Sequence, residues 1–121
     1  MKLFVDDVRD APDDTWTVVR KVEEAIVAIA KFRPTHISLD HDIENRPSDE
    51  TFKSVAYFIG ALYWTTIGEV SGLPSNMMLA RPLLGPTITI HSANPVGAQQ
   101  IHDILKSYGL SSTIIHSSEL A

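Results

Sequence analysis

Apolar residues along this chain fall into two alternating patterns: short unbroken runs, and longer stretches with apolar positions three and four apart. Leu3-Phe4-Val5, Thr15-Trp16-Thr17-Val18-Val19, His36-Ile37-Ser38-Leu39, Thr87-Ile88-Thr89-Ile90 and Thr113-Ile114-Ile115 are the short runs. Rich in β-branched and aromatic side chains, they predict five strands, the first of them buried. Between them, Val22, Ala25, Ile26 and Ile29 mark one helical face that ends near Phe32-Arg33-Pro34. A second helix follows Pro47-Ser48, with Phe52, Val55, Ala56, Ile59, Leu62 and Tyr63 on one side. The last is the best punctuated. Asn94 suits an N-cap, Pro95 the first helical position and Gly109 a left-handed stop, with Ala98, Ile101, Ile104, Leu105 and Tyr108 between.

Asp10–Asp14 is turn chemistry. Residues 68–86 hold three prolines and three glycines without a period, so a lid, a binding loop or a mobile insert is expected. Strands alternating with amphipathic helices predict one α/β domain over 1–121, its parallel sheet covered on both faces. Such sheets bind ligands at the carboxyl ends of their strands. Polar residues collect at three of those ends: Asp6-Asp7, Asp40-His41-Asp42 and His91-Ser92.

Composition narrows the chemistry. Among 121 residues there is no cysteine, which excludes disulfides, thiolate metal sites and cysteine nucleophiles. No run is long enough for a membrane span, and the apolar stretch at 3–5 is too short for a signal peptide, so a cytoplasmic protein is expected. The net charge of −5 resides in residues 1–50, where twelve acids face seven bases. That argues against an extended nucleic-acid surface and agrees with carboxylates that hold a hard cation.

The element order resembles the response-regulator receiver fold. Two acids follow the first strand, Asp40 ends the third, and Ser92-Ala93 follows the fourth. In receivers those acids bind magnesium, the third-strand aspartate accepts a phosphoryl group, and the hydroxyl bonds a phosphoryl oxygen. Two departures stand out. Only Val8 to Asp14 lies where receivers have their first helix, and the lysine that receivers carry after strand five is missing. Asp6-Asp7-Val8-Arg9, Ser38-Leu39-Asp40-His41-Asp42 and His91-Ser92-Ala93-Asn94-Pro95-Val96-Gly97 resemble more closely the cyclic-phosphate-processing receiver family. That resemblance implies a flavodoxin-like three-layer sandwich, with strand order 2-1-3-4-5 and the first helix reduced to a loop. The implied activity is on cyclic phosphates such as those at RNA ends.

On this reading Asp6, Asp7, Asp40 and Asp42 are the metal ligands. They offer hard oxygens suited to Mg²⁺, with Mn²⁺ as an alternative, though each also suits a helix cap or a loop-amide bond. His41, His91 and Asp40 are the catalytic candidates. Two imidazoles across a phosphate can act as base and acid; alternatively the metal activates water and one histidine protonates the leaving group. Arg9 suits a phosphate clamp or a surface pair with Asp10 or Asp13. Ser92 and Asn94 complete the phosphate site at the start of the last helix, whose amides favour an anion. His36 and His102 read as structural; His116 stays open. Trp16, Trp64 and Met77-Met78 read as packing, and Arg81 reaches the site only if the insert folds over it.

Three functions follow. The first is metal-assisted hydrolysis of a cyclic phosphate on a nucleotide or RNA terminus, with no membrane partner. The second is a phosphoacceptor or phosphate-sensing module that uses Asp40 without turnover. The third is an interaction domain whose acidic rim only holds a stabilising ion.

Overall fold

The computed structural model describes residues 1–41, 51–69 and 86–115. Its elements are β1 (Lys2–Val5), β2 (Trp16–Val19), α1 (Val22–Phe32), β3 (His36–Leu39), α2 (Lys53–Glu69), β4 (Thr87–Ile90), α3 (Pro95–Ser107) and β5 (Thr113–Ile114). The five strands form one parallel sheet in the order β2-β1-β3-β4-β5. This is the expected receiver-like, flavodoxin-like α/β fold. Helix α2 runs two residues into the segment expected to be irregular; the rest of that segment, 70–85, lies outside the described residues, with Asp42, Met77-Met78, Arg81 and His116.

Local sequence explains the helix ends. Glu23 and Glu24 in the first turn of α1 and Lys31 in its last turn complement the helix dipole, and Arg33 closes it in the left-handed region at φ 48°. Asn94 accepts a hydrogen bond from the Gly97 amide and Pro95 opens α3. Gly109, at φ 80°, provides the stop that its position suggested.

The topology decides where the core lies. From β2 to β3, β4 and β5 the chain advances one way across the sheet, so right-handed crossovers put all three described helices on the same face. The core agrees. It joins Leu3, Val5, Ile37, Leu39, Ile88 and Ile90, alternate residues of their strands, to Ala25 and Ile29 of α1, Val55 and Ile59 of α2, and Ile101 and Leu105 of α3. Among the described residues, the helical cover expected on both faces is found on this one. Only β1 to β2 runs the other way, and its connection, 6–15, contains no helix. The second face carries Phe4, Trp16, Ser38 and Thr89. None of the described helices is long and apolar enough to cross a membrane.

Helices α2 and α3 meet closely at Gly60, where a Cβ would lie 2.2 Å from the Tyr108 ring. Gly60→Val is therefore expected to destabilise the fold by about 1–3 kcal/mol, read as a lower urea midpoint with an unchanged slope. An unchanged midpoint would contradict this packing.

Candidate functional site

Parallel registry aligns Val5, Leu39 and Ile90 across β1, β3 and β4. The ladder continues one residue further, because the amide of Asp40 donates to the Val5 carbonyl (2.9 Å) and that of His91 to the Leu39 carbonyl (2.9 Å). Asp6, Asp40 and His91 thus leave the sheet side by side. Strand alternation places them on the face of Phe4, Ser38 and Thr89, away from the helices.

Asp6 is the hub. Its Oδ1 accepts from the amides of Val8 and Arg9, both at 2.9 Å, an Asx turn that bends the chain sharply after β1. Its Oδ2 lies 2.9 Å from His91 Nε2, which donates to the ionised carboxylate. Both groups are fully buried. The other ring nitrogen of His91, Nδ1, is 2.6 Å from Ser38 Oγ; in the neutral ring it accepts the hydroxyl hydrogen. The ring also stacks on Phe4, with centroids 4.4 Å apart and planes 9° from parallel. Both nitrogens of His91 are therefore engaged inside the chain.

Asp6, Asp7 and Asp40 each offer a carboxylate oxygen, and these atoms all lie within 4.8 Å of one another. Asp6 and Asp40 differ in protonation behaviour. Burial, the largest influence on Asp6, opposes its ionisation, but the bonds from His91, Arg9 and Val8 outweigh it and hold the carboxyl below its ordinary value. Asp40 goes the other way. Burial first, and then the charge on Asp6, push it up, against the smaller effect of the His41 amide donating to its Oδ1.

Arg9 reaches across the site. Its Nη1 donates to the His91 carbonyl (2.8 Å) and lies 4.0 Å from Asp6 Oδ2, with the side chain about one-third exposed. The alternative pairing with Asp10 or Asp13 is not the one found. Arg20 takes Asp10 at 3.1 Å, and Asp13 accepts from the Thr15 amide and hydroxyl. Arg20 also donates to the carbonyls of Asp6 (3.2 Å) and Arg9 (2.5 Å), fixing the loop that carries the acids.

On the other side, buried His41 packs against the start of α3. A Cβ on Gly97 would lie 2.4 Å from its ring, so only glycine leaves room there. Ser92 Oγ accepts from the Asn94 amide (3.1 Å), a bond that leaves its O–H hydrogen unused. His36 and His102 bond Thr35 and Ser112, as structural histidines do. Trp16 packs edge-on against Phe4.

A family model described as the cyclic-phosphate processing receiver domain matches residues 1–107. The chain belongs to this family. The match spans every acid, histidine and arginine just described, from β1 to the end of α3. No curated protein and no solved structure matches the chain. Receiver domains bind Mg²⁺ through acidic residues, and this cyclic-phosphate processing receiver has such a cluster in Asp6, Asp7 and Asp40. Among the described residues, the three clustered ligand atoms are all carboxylate oxygens, which suit a hard divalent cation. Asp42 lies outside the described residues. Arg20, Ser38 and Gly97 are the additions to the residues expected from sequence.

The opposed behaviour of Asp6 and Asp40 predicts the pH dependence of this receiver without divalent ions. Asp40, raised in the folded state, costs stability at neutral pH, and the cost is relieved as pH falls through its raised value. Asp6, lowered, stabilises fully above the unfolded value of 3.8, and that contribution is lost as pH falls through its depressed folded value. Denaturant unfolding in chelator should therefore show stability rising on mild acidification and falling at lower pH. Asp40→Asn should remove the rise and be more stable than wild type at pH 7; a less stable Asp40→Asn would contradict the like-charge account.

Proposed function

We propose that this receiver hydrolyses a cyclic phosphate on a nucleotide or RNA terminus with the help of a divalent cation, Mg²⁺ or Mn²⁺. The observation that carries the reading is the meeting of three carboxylates within 4.8 Å at the strand ends, beside the first turn of α3. Asp6, Asp7 and Asp40 would hold the cation, which when bound neutralises phosphoryl charge and acidifies water. Hydrolysis adds water to phosphorus and breaks one of the two ring P–O bonds, and the departing ribose oxygen needs a proton. His41, next to Asp40 and against Gly97, is the candidate for moving that proton. His91 has both nitrogens committed to Asp6 and Ser38, so its part is to hold Asp6 ionised and in place rather than to exchange protons with substrate.

Arg9 keeps one Nη on the His91 carbonyl, and its remaining N–H groups suit a phosphate oxygen. It lies on the same rim where receivers use a lysine after the fifth strand. The Ser92 hydroxyl and the dipole of α3, capped by Asn94, favour the same anion. Together they would stabilise charge that grows on the phosphoryl oxygens in the transition state.

Incubation with 2′,3′-cyclic nucleotides and Mg²⁺ or Mn²⁺, followed by ³¹P NMR, tests the proposal. Monoester should form, and chelation or Asp40→Asn should reduce the rate by about a hundredfold or more, the scale of losing one electrostatic element of an active site. Arg9→Ala should chiefly raise KM, and His41→Ala should lower kcat. If no monoester appears while a small phosphodonor leaves a base-labile adduct that Asp40→Asn abolishes, Asp40 is a phosphoacceptor and the hydrolytic reading falls.

A further inference from the structure

Away from the carboxylate rim, the outer flank of α1 and the edge strand β2 enclose an apolar groove of about 480 Å³. Val19, Val27, Ala28 and Phe32 line it, with Glu23 and Glu24 at one end. Its position follows from the fold. β2 ends the sheet, and Thr17 and Val19 point to the helical face, where Thr17 is exposed beside α1. Large apolar side chains exposed elsewhere among the described residues are scattered over separate elements. Met1, Val27 and Phe32, at 42%, 61% and 56% exposure, gather at this one groove. A gathered apolar patch beside an open strand edge is a contact surface rather than ordinary surface noise.

The charge order on α1 identifies the occupant. Glu23, Val27 and Lys31 follow one another at four-residue steps, forming a stripe along a single helix face. About Val27 the stripe is self-complementary: four residues back is an acid, four residues on is a base. A two-fold axis through Val27 would lay a second α1 antiparallel on the first. It would set Glu23 of each copy against Lys31 of the other, with Val27 against Val27. Phe32, exposed at the groove, adds apolar contact beside the charges. Exposed Ala30 leaves room for close approach. The Lys31 ammonium already sits 5.3 Å from the Phe32 ring, at the groove. Antiparallel helices also bring opposite dipole ends together. A foreign helix of one charge sign would satisfy only half of this stripe, whereas a second copy satisfies both halves.

We infer that the chain forms a symmetric dimer in which α1 of one copy packs antiparallel on α1 of the other, along the β2 edge. The interface is isologous and closed, so it ends at two copies. Nothing in it draws on the cyclic-phosphate chemistry, and it stands or falls separately.

Sedimentation velocity on the full chain, from low micromolar to several hundred micromolar, tests the inference. Wild type should pass from monomer to dimer with concentration. Glu23→Lys and Lys31→Glu each replace two attractive pairs per dimer with repulsion, and each should weaken association by about tenfold. The double variant Glu23→Lys/Lys31→Glu restores opposite charges across the two-fold axis and should return to near wild-type association. Val27→Glu should leave a monomer. All three positions tested are exposed, and circular dichroism checks that each variant keeps its fold. A wild type that stays monomeric throughout, or a double variant no better than its singles, would overturn the dimer.

Discussion

Three carboxylates share a volume too small for three free negative charges, and most of the site's architecture answers that constraint. Asp6 is buried outright, and burial alone would neutralise it. It stays ionised because four groups converge on it: two backbone amides of the turn it makes, the His91 ring and, farther off, the Arg9 guanidinium. Asp40 is pushed up first by its burial and then by the charge held on Asp6. An ionised Asp40 costs the folded chain stability at neutral pH, a cost that a cation between the carboxylates would offset. This is the physical basis for reading the rim as a place where positive charge is brought in and, with it, phosphate.

The sheet makes the convergence inexpensive. Between β1 and β3 the chain changes its direction of winding, so no crossover helix lies over the strand ends there. The short 6–15 connection can therefore fold its acids inward and carry Arg9 over to β4. Arg20, from the end of β2, ties that connection down by its carbonyls. On the far side Gly97 lets His41 pack tightly against the start of α3. Each of these contacts joins residues from different elements, so the rim is assembled only when the sheet and α3 are in place.

Much of this was legible in the residues. Periodicity located the five strands and three helices of the described residues, because apolar runs and apolar faces are what a sheet and its helices require. Asn94 and Gly109 worked as caps since their conformational preferences are local. The carboxylates and Arg9 stood out because acids, histidines and a hydroxyl gathered at three strand ends are unusual. His91 was harder to read. Its type suggested proton transfer, but its contacts with Ser38 and Phe4 arise only through strand registry that spacing does not encode. Arg20 carried no local signal at all, as its partners are carbonyls of a loop eleven and fourteen residues away. Among the described residues, helical cover on one face follows from crossover direction, and that becomes visible only once strand order is known.

The central claim is that Asp6, Asp7 and Asp40 form a single cation site. Crystals of the chain soaked in Mn²⁺ and measured at the manganese absorption edge address it directly. The account predicts one anomalous peak in coordinating reach of all three carboxylates, and no peak there in crystals of Asp40→Asn. Ordered carboxylates with no peak between them, or manganese bound elsewhere with the three oxygens unliganded, would contradict it.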